Sequence, residues 1–103
     1  MAMEPVQIVQ QDGATHLLFN AVLGVSQARA LHAQLGQVLT QPTPLVLDAS
    51  QVEQVDAAAM QVLVGFCRQL RAQGAVMHWH AVSPQVQQAC QLLGLSSLLG
   101  DIP

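Results

Sequence analysis

From Leu45 onward the chain alternates between apolar segments of strand length and segments with a helical period, and that alternation leaves few folds open. Leu45-Val46-Leu47 follows Pro42 and Pro44 as a short uninterrupted apolar run, the pattern of a strand buried in a sheet. Asp48 to Val55 is a polar connection without periodicity. A helix then opens at Asp56, an N-cap residue followed by the strong helix formers Ala57, Ala58, Ala59 and Met60. Met60, Leu63, Val64, Cys67 and Leu70 form its apolar stripe, and Gly74 closes it. Ala75 to Val82 reads as a strand. Ser83-Pro84 supplies an N-cap and a proline at the first helical position, ahead of a stripe of Val86, Ala89, Cys90 and Leu93 that stops at Gly94. Leu95 to Leu99 is a last apolar turn. Strands alternating with amphipathic helices imply parallel pairing through right-handed crossovers.

Upstream, Val6 to Val9 is a short strand, Asp12-Gly13 a turn signal and Thr15 to Val22 a second strand, so the chain opens on a hairpin. Ser26 offers a cap for a helix whose stripe is Ala28, Leu31, Leu35, Val38 and Leu39. The expected order is β-β-α-β-α-β-α. This is a two-layer α/β domain, with a mixed sheet of four to five strands and three to four helices mainly on one face. No repeat or linker divides it, so residues 1–103 are expected to form a single domain.

Charged residues make up only 9% of the chain and lysine is absent, while glutamines such as Gln7, Gln10, Gln34, Gln61 and Gln88 take over much of the surface. Arg29, Arg68 and Arg71 can neutralise few phosphates, and the net charge is −3, which argues against nucleic acid and against an anionic membrane surface. No apolar run approaches the roughly 20 residues that span a bilayer, and the N-terminal residues lack a basic and an apolar region of secretory type. A cytoplasmic location is expected, with Cys67 and Cys90 as reduced, buried thiols. A weakly charged surface also favours a self-contact or a stable partner.

The catalytic inventory is thin. Ser50 and Ser83 sit in no nucleophile motif, and the glycines are isolated rather than gathered into a phosphate loop. His78 and His80 share a strand face about 7 Å apart, but a zinc site needs three or four ligands, and His16 and His32 show no matching spacing. The expectation is therefore no metal, no cofactor and no enzymatic activity.

The ordered set from Leu45 to Leu99 resembles the STAS domain family, which includes the bacterial anti-sigma factor antagonists. LVLDASQVEQVDAAAMQVLVGFCRQLRAQG is similar to its strand-loop-helix signature, and AVSPQVQQACQLLGLSSLL to its closing helix. The likeness extends over roughly Leu17 to Leu99. It implies a non-enzymatic protein that presents the N-terminus of the helix after the third strand to a kinase-like anti-sigma factor. In that family a serine just after the aspartate is phosphorylated to switch binding off, a charge placed at a helix N-terminus inside a docking surface. Here the aspartate is Asp56, but the matching position is Ala57, followed by Ala58 and Ala59, so no hydroxyl is available.

The partner-binding residues expected on this basis are Asp56, Ala57, Ala58, Met60, Gln61, Val62 and Phe66. At about 100° per residue, Ala58, Val62 and Phe66 form an apolar band away from the centre of the core stripe. A plain N-cap and first helical turn at Asp56 to Ala59 is the alternative, and a homodimer through the same band is another. Some short STAS proteins instead brace the ATPase of a lipid-transport ABC system, and the sequence does not separate that role from the anti-sigma one.

Overall fold

The computed structural model describes residues 5–40 and 44–94. The opening hairpin pairs β1 (Val6–Gln11) with β2 (Ala14–Phe19) in antiparallel register, Val6 opposite Phe19 and Gln11 opposite Ala14. Its two-residue loop has φ of 53° at Asp12 and 76° at Gly13. Positive φ at both positions is the turn that matches strand twist, and aspartate and glycine tolerate it best. A two-residue strand, β3 (Val22–Leu23), leads into α1 (Val25–Val38). Then come β4 (Leu45–Ala49), β5 (Gln54–Val55), α2 (Ala57–Ala72), β6 (Met77–Val82) and α3 (Pro84–Leu92).

The main sheet has the order β1-β2-β4-β6, with β4 parallel to both β2 and β6. α1 connects β2 to β4, and α2 connects β4 to β6. The long strands and helices follow the expected order, and the sheet is mixed as expected. Two additions are the two-residue strands β3 and β5, which pair in parallel as Val22 with Gln54 and Leu23 with Val55. The stretch read as an aperiodic connection thus contains a strand, and the strand read to Val22 ends at Phe19.

Alternation along the strands defines the layers. Leu17, Phe19, Leu45, Leu47 and Trp79 are buried on one face, where they meet Leu31, Leu35, Leu63, Cys67 and Leu70 from the helices. Phe19 and Trp79 stack there with ring centroids 6.3 Å apart. The opposite face is only partly covered. It carries His16 and His78, each in register with Val46 from either side.

Local signals set the helix ends. Ser83 Oγ accepts from the Val86 amide at 3.3 Å, with Pro84 at the first helical position, as its sequence implies. Gly74 and Gly94 take φ of 69° and 68°, the left-handed conformation that ends α2 and α3. Leu93, expected in the third stripe, is instead 43% exposed, one of the exposed large hydrophobic residues at the end of α3. The apolar turn from Leu95 to Leu99 lies outside the described residues.

Candidate partner-binding site

Asp56 caps α2 as the sequence implies, and also does something the sequence did not indicate. Its Oδ1 accepts from the Ala59 amide at 3.0 Å, the bond of an N-cap. Its Oδ2 accepts from the Val25 amide at 2.8 Å, at the first turn of α1. One carboxylate therefore receives the N-terminal amides of two helices. α1 needs this because its N-cap residue is Gly24, which has no side chain to offer. The Gln27 side chain adds a second bond, its Oε1 accepting from the Gly24 amide at 2.9 Å. Ser26, expected as the cap, falls at the second helical position and is exposed. The short β3–β5 pair holds the two helix starts together, and the Asp56 amide donates to the Leu23 carbonyl at 3.1 Å.

Two helix N-termini converging on one point create a positive electrostatic environment that the Asp56 carboxylate occupies. Around it lie exposed groups: Ala57 on α2, Val25 with 73% of its surface exposed, and Val22 with 44%. Val22 on the short strand and Val25 in the first turn of α1 are thus exposed apolar residues on the segments that lead into this corner. Sequence reasoning missed Val22 and Val25. Neither belongs to a stripe, and the pairing that brings them to Asp56 joins segments about 30 residues apart.

The remaining expected residues divide. Gln61 is exposed, and Ala58 is half-buried. Met60 is fully buried and belongs to the core rather than to a docking surface. Phe66 is 5% exposed and Val62 only partly exposed, so the band of Ala58, Val62 and Phe66 does not form an outer face. The reason is that α2 is covered twice, by the sheet along its main stripe and by α1 along the band. Between α1 and α2 remains a groove of about 450 Å³, with Leu35, Leu39, Val62 and Phe66 along it and Gly36 and Gly65 on its walls.

Elsewhere the chemistry is quiet. His78 and His80 are exposed on the open sheet face, and the register adds His16 across Val46, an alignment the sequence spacing did not reveal. Among the described residues no group of three or more His, Cys, Asp or Glu side chains could hold a metal ion. No described helix is long and apolar enough to cross a membrane.

Cys67 and Cys90 are free and buried. Burial pushes the Cys67 thiol from 9.0 up to about 12, with Arg71 opposing and Cys90 adding to the shift, and burial raises Cys90 as well. The folded state thus favours the neutral thiol. Its contribution to stability is complete below pH 9 and is lost as pH rises towards 12. Thermal unfolding should move to lower temperature as the buffer is raised from pH 8 to pH 10.5, and Cys67→Ala should flatten that slope even though it lowers stability at neutral pH. A slope unchanged in Cys67→Ala would show that other groups govern the alkaline limb.

The profile of the family described as "Mlab, STAS domain" matches residues 6–100. The chain is a STAS domain. The anti-sigma-factor antagonist (STAS) domain protein from Planctomyces limnophilus is similar at 18% identity and a TM-score of 0.74, over 94% of this chain and 87% of that one. The Bacillus cell fate determinant SpoIIAA in its phosphorylated form gives 14% identity and a TM-score of 0.65, over 88% and 85%. A protein called Mglu gives 18% identity and a TM-score of 0.67 over 78% of this chain, which spans only 20% of the Mglu chain. At these identities the likeness is one of fold. No curated protein sequence matches the chain.

Proposed function

We propose that this STAS domain is a non-enzymatic protein-binding module, resembling the anti-sigma factor antagonists, whose docking surface is the corner where α1 and α2 start. The observation that supports this most is the double cap at Asp56, which fixes two helix N-termini beside exposed Val22, Val25 and Ala57. Apolar residues on rigid segments lose little entropy on docking, so a modest area can serve a specific partner. Ala57 stands where the family carries its phosphoacceptor, so the surface is permanently competent rather than switched at that residue.

That permanence also favours the second reading, a cytoplasmic subunit that braces the ATPase of a lipid-transport ABC system, since such a subunit need not be released. Both readings use the same corner. The protein that co-purifies with the chain separates them: a kinase-fold regulator supports the first and an ATPase subunit the second. A partner that still binds after the corner is charged would overturn both. Phosphorylation offers a further check. Incubation with an anti-sigma-type kinase and ATP should leave residues 55–61 unmodified, because no hydroxyl occurs from Val55 to Gln61. A phosphopeptide mapped to that stretch would show that the switch has moved rather than vanished.

A further inference from the structure

Two side chains on β6 have no part in the core or in the corner at Asp56. His78 and His80 are both exposed, and neither imidazole bonds to another described residue. Between them Trp79 is 2% exposed and stacks on Phe19, so the backbone that spaces the two rings is anchored on its inner side. His78 is held opposite Val46 by the parallel pairing. Beyond Trp79 the register shifts, with Asp48 opposite Ala81, which leaves His80 as the extra residue of a bulge on β6. Bulges of this kind re-aim side chains, and they recur at functional sites.

Alternate residues of a strand lie about 7 Å apart and project to one side. Two imidazoles placed so can both reach one ion, each ring nitrogen bonding it at about 2 Å. The surroundings do not repel a cation. The chain has no lysine, and its three arginines, Arg29, Arg68 and Arg71, all lie on α1 and α2 rather than in the sheet. Asp48 pairs with the residue after His80, which brings a carboxylate to the neighbouring strand.

We propose that His78 and His80 form an exchangeable two-ligand site for a late divalent transition metal, copper(II) above the others. The donors set the class. Imidazole nitrogen suits copper, nickel and zinc, whereas magnesium and calcium take oxygen ligands. At a given nitrogen site copper(II) binds most tightly, and its tetragonal geometry accepts two neighbouring nitrogens with water in the remaining positions. This departs from the sequence expectation of no metal, which rests on the three or four ligands of a closed zinc site. Among the described residues no group of that size exists, and a site completed by solvent needs only two. The site stands apart from the docking corner and does not depend on it.

Titration calorimetry tests this on the full chain, free of any tag and washed with chelator. Copper(II) chloride at neutral pH should bind as one ion per chain, nickel and zinc more weakly, and magnesium not at all. His78→Ala and His80→Ala each remove one arm of the chelate and should weaken copper binding about tenfold to a hundredfold. His16→Ala and His32→Ala should leave it unchanged. In the wild type, sub-stoichiometric copper(II) should broaden the ring resonances of His78 and His80 before those of His16 and His32, a reading that needs no variant to fold. Two weak ions per chain, each lost singly with its own histidine, would mean that the imidazoles act separately and would overturn the proposal. Affinity unchanged in both β6 variants, broadening centred on other residues, or no binding of copper(II) would overturn it as well.

Discussion

Replacing Asp56 with alanine should lower the unfolding free energy by about 2–4 kcal/mol, far more than an exposed residue ordinarily contributes. The magnitude follows from what the carboxylate holds. Loss of an ordinary N-cap costs about 0.5–2 kcal/mol. Here the same side chain also accepts from the Val25 amide at 2.8 Å, and α1 has only glycine at its own N-cap. Hydrogen bonds to a charged group are worth about 1.5–3 kcal/mol each, and the favourable field of both helix starts is lost together with them. Asp56→Asn should fall between, because the amide keeps one acceptor oxygen and loses the charge. Urea unfolding followed by far-UV circular dichroism reads both variants. Hydrogen exchange should locate part of the loss at Val25, 31 residues from the substitution. If both variants fall within about 0.5 kcal/mol of the wild type, water replaces the carboxylate at both helix ends and the corner is not held by Asp56.

The same residue shows how much of the molecule can be read from its sequence. The start of α2 at Asp56, the Ser83-Pro84 start of α3 and the glycine stops at Gly74 and Gly94 were legible because each is set by chemistry within one turn of helix. The buried strand at Leu45 was legible for a similar reason, an apolar run fenced by prolines. The start of α1 was not, because its capping oxygen comes from a residue 31 positions away. The β3–β5 pair was hidden as well: two residues are too few to show a period, and Val22–Leu23 becomes a strand only when Gln54–Val55 lies beside it. The band of Ala58, Val62 and Phe66 was visible but misplaced. A hydrophobic stripe reports that a helix face is covered without reporting by what, and here the cover is α1. The candidate site therefore shifts, away from Met60 and Phe66 and towards Val22 and Val25, while Asp56, Ala57 and Gln61 keep their places.

That shift changes which substitution should separate docking from folding. Val62 is partly exposed along the α1–α2 groove, so Val62→Glu would perturb the packing of the two helices as well as any contact made there, and it cannot distinguish docking from folding. Val25→Lys can. Its side chain is 73% exposed, so stability should change by no more than about 0.5 kcal/mol. If the corner docks a partner, the added ammonium must be desolvated in the interface, where the neighbouring Asp56 carboxylate is already committed to the amides of two helices. That costs several kcal/mol, or about a thousandfold in affinity. Ala57→Asp probes the other side of the corner. A carboxylate in the first turn of α2 favours the helix by about 0.3–1 kcal/mol in isolation, and repulsion from Asp56 offsets part of this. The same charge imitates the phosphate that the family places at this position, so binding should weaken while the melting temperature holds. Titration calorimetry against the co-purified partner, alongside thermal melts of each variant, reads both quantities. Stability kept and partner lost in both variants is the outcome the corner requires. Unchanged affinity in two well-folded variants would move the docking surface off this corner, to the α1–α2 groove or the open sheet face around Val46.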